Sequence, residues 1–421
     1  MNQSSLTLGE YVNGQILYGI KTGYNQAFFI DEHTYSYLIK RDPKNSEIIK
    51  SLVVGDDVRK YEINFQNSYL IFARRGVNID NYPSIKGYLN KFRQELEPRL
   101  KDHTGDWSGR KAGSYQWYEI QDSIDYWEEF EKPKIIYPII AKEPRFTFDD
   151  QGYYANDKCF IIPHPDFYLL SLLNSNLIFN TAKLLVSVLG DEDAGGRLEL
   201  RAIHLQNLPI RKINFTTPTD RRQQALQNAI ALYNQLQLNH NADPLLAQVN
   251  HHLIQQPEEA DIIHDLLAHL SEQMIELNKQ KQTEIKSFLQ WLERFIGCPI
   301  DILTNKSKIQ NYLGDYYKKR TGIADNENDT GAPHLSFNDL IELLKKNKKK
   351  IKIDPVARKE QQTLEKEYQA SLETLLPLKM QLMRCDRLID AIVYQLYGLS
   401  EEERAIVEGR SAKDTDSKEV N

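Results

Sequence analysis

"KPKIIYPIIAKEPRFTFDDQGYYANDKCFII", Lys132–Ile162, carries the densest β-forming runs of this 421-residue chain. Its two ends, "PKIIYPII" and "KCFII", are rich in isoleucine, tyrosine and phenylalanine, the residue types that fit a pleated, half-buried surface. Between them Asp149-Asp150 and Gly152 predict a hairpin turn. Working outward, "AFFI" and "SYLIFARRG" are further β-prone pieces, and turn signals and short helical pieces alternate with them from Leu6 to about Ile213. "YPSIKGYLNKFRQELEPRLK" spaces Ile85, Leu89, Phe92 and Leu96 at helical intervals, which predicts an amphipathic helix. "DFYLLSLLNSNLIFNTAKLLVSV" reads as one buried helix against the sheet, because its asparagines interrupt the apolar run a membrane span needs. "LQNLPI", Leu205–Ile210, closes the region at Pro209.

Beyond "NFTTPTDRR" the texture becomes helical. Thr217 or Thr219 is placed to cap a helix with Pro218 near its start and an apolar stripe of Leu226, Ile230, Tyr233 and Leu236. "ADIIHDLLAHLSEQMIELNKQKQTEIKSFLQWLERFIG" is a second long helix, and "SFNDLIELLKKNKKK" a third, opened by a Ser-x-x-Asp cap. A last helix from about Val356 to Tyr397 repeats leucine and isoleucine at helical spacing, with Pro377 expected to kink or split it. The fold class expected is therefore α+β, a mixed α/β recognition domain over residues 1–213, followed by a long all-α arm over 214–408. Asp325–Pro333 is expected as a flexible loop and 409–421 as a disordered tail.

A hydrophobic content of 41% with 27% charged residues describes a soluble globular chain, and a net charge of -6 excludes a uniformly basic, histone-like protein. It leaves room for a local basic face, which is all that phosphate neutralisation requires. Twenty-three tyrosines, most of them in the first half, suit either sheet strands or a recognition surface. Cys159, Cys298 and Cys385 form no CxxC pair, so a disulfide framework or structural zinc is not expected. The N-terminal stretch lacks a signal-peptide pattern, and a reducing cytoplasm is the expected compartment.

No catalytic constellation is legible. "YGIKTGYNQAFFID", Tyr18–Asp31, sets Lys21-Thr22 between glycines but does not complete the P-loop spacing. "GDEDAGGRLELR", Gly190–Arg201, lacks the alternating oxygen ligands of a calcium loop and reads as a flexible connection. His251, His252, His264 and His269 lie on helices outside any HExxH, and Glu284-Ile285-Lys286 has no partnering strand aspartate. A methyltransferase would need a glycine-rich S-adenosylmethionine loop and an aromatic-ended Asn-Pro-Pro motif for the flipped base, and neither occurs.

Taken in order, "YGIKTGYNQAFFID", "DPKNSEIIKSLVVGDDVRKY", "SYLIFARRGVNIDNYPSIKGYLNKFRQELEPR", the central stretch, and "LLSLLNSNLIFN" leading to "LQNLPI" resemble the TaqI-like C-terminal specificity domain of type II and BREX-type adenine-N6 DNA methyltransferases. The likeness covers about residues 6–213, and "LIDAIVYQLYGLSEEERAIVEG" resembles the usual close of those enzymes. It implies target recognition on double-stranded DNA, with catalysis and S-adenosylmethionine on a methyltransferase domain or subunit, and a nuclease domain or subunit as a further partner. No cofactor, metal or membrane partner is expected for this chain itself. In the family this domain follows a methyltransferase domain, which leaves open a separate specificity subunit or a portion of a single-chain methyltransferase-restriction enzyme. A helical assembly or inhibitor protein that has lost DNA binding is the third reading.

Sequence-specific DNA binding needs phosphate clamps and groups that reach base edges. Lys21, Thr22, Tyr24 and Asn25 in the opening loop are candidates for phosphate positioning or base contact, against a plain turn between strands. Arg59 with Lys60, and Arg74 with Arg75, are basic tips after β-prone runs. "KDHTGDWSGRKAGSYQWY", Lys101–Tyr118, mixes glycine, cations and aromatics and offers Arg110, Lys111, Tyr115 and Trp117 as a groove-reading loop. Lys142, Arg145 and Asn156 make a further group. "LKKNKKKIKID", Leu344–Asp354, is either a phosphate contact or a solvated helix end.

Overall fold

A computed structural model describes residues 5–190, 196–317 and 331–409. The loop expected at Asp325–Pro333, save Gly331, Ala332 and Pro333, lies outside them, as do the tail beyond Gly409 and part of the connection at 191–195.

Both ends of the central stretch are strands, Lys134–Pro138 and Cys159–Pro163, and every residue of both is buried. They pair antiparallel with Phe160 opposite Tyr137 and Ile161 opposite Ile136. Thr147–Asp149 adds beyond the first and Leu17–Tyr18 beyond the second, completing a four-stranded sheet. Alternate side chains of a strand point to opposite faces, so runs without polar interruption require cover on both. Ile136 and Ile161 join a core with Leu52, Val53, Leu70, Phe72 and Ile85, where full burial of one such side chain contributes about 1.5–3 kcal/mol.

A second four-stranded sheet takes the order Tyr154–Ala155, Ile49–Val53, Tyr69–Ile71, Phe29–Ile30. The expected hairpin at Asp149-Asp150 is corrected here. Tyr154–Ala155 lies parallel to Leu52–Val53 instead of returning along Thr147–Asp149, so the turn carries the chain from one sheet to the other. The Asp149 carboxylate accepts the backbone N–H groups of Gln151 and Tyr153, at 2.8 and 2.9 Å, and this redirects the chain.

The expected single helix after Asp166 is two, Phe167–Leu173 and Asn176–Lys183. Asn174 bonds Phe146 through both ends of its amide, and Ser175 caps the second helix at Ile178 N–H. The segment Pro83–Leu96 is helical in three short pieces, with Ile85, Leu89 and Leu96 inward.

The described chain through Asn214 groups with the part from Tyr397, and Phe215–Leu396 forms a second unit. Tyr397 ties into the first unit through its hydroxyl, which accepts Arg211 N–H and donates to Pro209 C=O. The short helix Glu401–Val407 then reaches Asn180, whose amide donates to Val407 C=O.

The second unit is helical: Thr219–Asn239, Asp243–Leu253, Ala260–Ile296, Phe337–Lys346 and Arg358–Leu396 are its longer elements. Ser336 caps the fourth at Asp339 N–H, as expected. Neither threonine caps the first. Thr217 donates its hydroxyl to the Asp261 carboxylate, which also accepts the N–H groups of Thr216 and Thr217. The inward stripe of that helix is Ala225, Ala229, Tyr233 and Leu236, one position off the predicted line at its start. Pro377 does not split the last helix, which runs unbroken from Arg358 to Leu396. A proline removes one backbone hydrogen bond from a helix, and the side chains buried on either side, Leu372, Leu375 and Leu382, keep the helix continuous past it. None of the helices among the described residues is long and apolar enough to cross a membrane.

Candidate functional site

Three loops of the first unit meet around one buried guanidinium. Arg110 is 4% exposed, and its donors go to five backbone carbonyls: Leu96 (2.8 Å), Thr22 (3.0 Å), Glu119 (2.7 Å), Trp117 (2.9 Å) and Gln116 (3.3 Å). The ring of Tyr115 lies 4.4 Å from its centre. Burial pushes the Arg110 guanidinium down to about 10, still charged at neutral pH. A planar fork of donors suits this task, because carbonyls from several segments can be satisfied by one rigid group.

The opening loop is shaped by two glycines. A Cβ on Gly19 would sit 1.9 Å from the Asn156 carbonyl oxygen, because Ile20 bridges Asn156 and its N–H donates to Ala155. Gly23 has φ +82, and a Cβ there would press on Gln121 and the Arg110 stem. Only glycine adopts that backbone without strain. Thr22 is fully buried, donating its hydroxyl to Asn25 and accepting the Tyr24 N–H. Lys21 and Asn25 are left exposed and Tyr24 half-buried. Gly19→Ala is expected to cost about 1–3 kcal/mol by overpacking, read as a lower urea midpoint, whereas alanine at the exposed Gly87, where a Cβ meets nothing within 4 Å, is expected to be tolerated.

The Arg74-Arg75-Gly76 turn is anchored by residues 119–121. Arg75 donates its fork to the carbonyls of Ile120 and Gln121, and the Glu119 carboxylate accepts the N–H groups of Gly76 and Gln116. Arg74 remains exposed, stacked 4.6 Å from the Trp127 ring. Arg110 N–H donates to Glu97 C=O and Arg110 C=O accepts Arg99 N–H, a parallel bridge at Pro98 that sets the exposed Arg99 beside the exposed Lys111. Tyr115 and Trp117 are buried; Tyr115 donates to the Lys111 carbonyl, and Arg93 stacks 4.2 Å from Trp117.

The candidate residues thus divide. Thr22, Arg110, Tyr115, Trp117 and Asn156 are interior supports, with Arg75 largely engaged. Lys21, Asn25, Arg74 and Lys111 are outward. The others lie elsewhere: Arg59 is half-buried and donates to Val58 C=O, and Lys60 is buried. Arg145 is held by Glu143 at 2.7 Å. A bond from Tyr61 N–H to Phe146 C=O ties those two turns together, with Lys142 exposed nearby in the chain. Sequence reading missed Glu119 as the anchor of the Arg74 turn, and Arg93, Arg99 and Trp127 as its aromatic and cationic surroundings. An acid enclosed in "WYEIQ" was the one available signal. Among the described residues no three His, Cys, Asp or Glu side chains gather to hold a metal.

Residues 50–210 match the TaqI-like C-terminal specificity domain, and residues 260–393 match a domain of unknown function, DUF8810. The opening loop lies just ahead of the first match. The type II methyltransferase M.BanIII of Aneurinibacillus aneurinilyticus is 23% identical over 248 residues, covering 50% of this chain and 40% of that protein. The chain thus spans about two-fifths of the length of this curated relative. A type IIL restriction-modification enzyme, MmeI, solved in complex with DNA, aligns with a TM-score of 0.31 at 15% identity, over 64% of this chain and 32% of that one.

Proposed function

We propose, for a chain that carries a TaqI-like specificity domain, that it reads the target sequence on duplex DNA for an adenine-N6 methyltransferase. Catalysis and S-adenosylmethionine belong to a methyltransferase domain, on the same polypeptide or a separate one, and a nuclease can share the system. The observation that carries this reading is the match of residues 50–210. The loop cluster supports it, since a buried hub that fixes three loops while Lys21, Arg74, Arg99 and Lys111 point outward is a preorganised cationic surface. Rigid positioning of phosphate contacts is what gives base-reading groups their register. In this reading Arg74 and Asn25 are the outward groups with the geometry to address base edges, and the lysines hold phosphates.

The test is salt-dependent duplex binding by the chain together with its methyltransferase, before and after Lys21→Ala and Lys111→Ala. Each substitution is expected to weaken binding alike across sequences and to lower the slope of log affinity against log salt by about one. Methylome sequencing of the host with and without the gene then identifies the target. Absence of DNA affinity at low salt in the complex would sink the reading.

A further inference from the structure

The second unit carries a cationic surface that the specificity reading does not use. The last turn of Phe337–Lys346 and the turn that follows it carry Lys345, Lys346, Lys348, Lys349, Lys350 and Lys352, all exposed. It is not a frayed helix end. Asn347, 1% exposed, accepts Thr304 N–H at 2.8 Å and donates to the carbonyls of Thr304 and Leu343. Lys350 donates to Ile302 C=O and the Thr304 hydroxyl. Lys352 N–H donates to Ile296 C=O, and its stem lies over Gly297, where a Cβ would come within 2.7 Å of it. The turn is therefore locked against 302–304, and the exposed Lys306 and Lys308 follow directly from that segment.

The local acids do not neutralise this surface. Lys345 pairs Glu342 (2.8 Å), Lys348 pairs Asp354 (3.1 Å) and Lys306 pairs Asp301 (2.9 Å), while Glu293 accepts Ile300 N–H. Lys308, Lys346, Lys349 and Lys352 have no carboxylate partner among the described residues. Helix C-terminal dipoles explain Arg294, Lys345 and Lys346. They do not explain Lys349 or Lys352, which lie in no helix, and Lys308 sits only at the end of the five-residue helix Lys306–Gln310.

We propose that this locked lysine surface binds the phosphate backbone of duplex DNA, adding a sequence-independent contact on the helical unit to the one made by the specificity domain. The inference rests on the DNA-binding reading above. Lysine is a compact point charge suited to phosphates, and the surface lacks the arginine–aromatic stacking found around Arg74 and Trp127. An anionic membrane would also attract lysines, but Ile302 is the single half-exposed apolar side chain in the locked turn, far short of an inserted helix face.

The experiment measures binding of fluorescent duplexes of unrelated sequence across a salt series, using the full chain with its methyltransferase. The variant Lys308→Gln/Lys346→Gln/Lys349→Gln/Lys352→Gln is expected to lower the salt slope by about 0.9 for each phosphate it no longer neutralises and to weaken all duplexes equally. Lys346→Gln/Lys349→Gln, which removes two side chains held by no carboxylate, is the second variant should the fourfold one fold poorly. An unchanged slope, while Lys21→Ala still weakens binding, overturns this proposal and leaves the specificity reading standing. No DNA binding by the wild type overturns both. Loss of binding to phosphatidylserine vesicles with an unchanged DNA slope overturns it in favour of a membrane surface.

Discussion

Arg110→Ala is expected to destabilise the first unit by about 3–5 kcal/mol, because several buried acceptors lose a donor at once. The alanine leaves the carbonyls of Leu96, Trp117 and Glu119 without the donors that now satisfy them, and takes from the Thr22 carbonyl one of its two. Each orphaned buried group costs about 1–3 kcal/mol before relaxation. Arg110→Lys should recover little, because an ammonium is one point with three donors and cannot reach the carbonyls spread around the edge of the guanidinium. The loss should appear first in the loops. The amides of Gln121 and Asp122, bonded to the Thr22 and Lys21 carbonyls, are expected to exchange with solvent much faster in Arg110→Lys, while the core strand amides of Ile135 and Ile161 keep more of their protection. DNA affinity is expected to fall with loop order although Arg110 is buried. A variant with wild-type stability and exchange but weaker binding would show that Arg110 contacts DNA itself.

This residue also marks where sequence reading reaches its limit. "PKIIYPII" and "KCFII" were legible as strands because β-branched and aromatic runs report burial locally. The helix stripe from Leu372 to Leu396 was legible for the same reason, through periodicity, and that of the first long helix only in its second half, at Tyr233 and Leu236. Arg110 read as a loop cation among glycines, the composition of a mobile surface. Its burial depends on carbonyls supplied by residues 22, 96, 116, 117 and 119, and no local pattern encodes their convergence. The glycines were the better clue. Gly109 has the Glu97 carbonyl 2.3 Å from where a Cβ would stand, so the Lys101–Tyr118 loop is folded back against residue 97 and not extended into solvent. The Asp149 turn failed for a related reason: Asp-Asp-x-Gly specifies a reversal, but the partner strand is chosen by the sheets, and Tyr154 pairs beside Leu52. Pro377 is the converse case, where tertiary packing overrides a strong local breaker.

Asp149→Ala is the second large expected effect, again about 3–5 kcal/mol, and it tests how the two sheets are joined. Asp149 and Lys134 are both fully buried, 2.5 Å apart. Burial lowers the Lys134 ammonium and raises the Asp149 carboxyl, in each case against the pull of the partner. Neither charge is tolerable alone. The pair is asymmetric, however, because Asp149 also holds Gln151 and Tyr153 N–H, whereas Lys134 otherwise meets only the carbonyls of Phe130 and Lys132. Lys134→Met keeps the stem volume and leaves the carboxylate two amide donors, so it is expected to cost less than Asp149→Ala. Asp149→Asn, which retains an acceptor for the turn but loses the charge, should fall between them. Urea unfolding of the three variants gives the order directly. The reverse order, with Lys134→Met the most damaging, would mean that the ion pair and not the turn joins the sheets. The turn leads through Tyr154 and Ala155 to Asn156, whose backbone seats Gly19 and Ile20. Asp149→Ala is therefore expected to loosen the opening loop, and with it the positioning of Lys21, from the opposite side to Arg110.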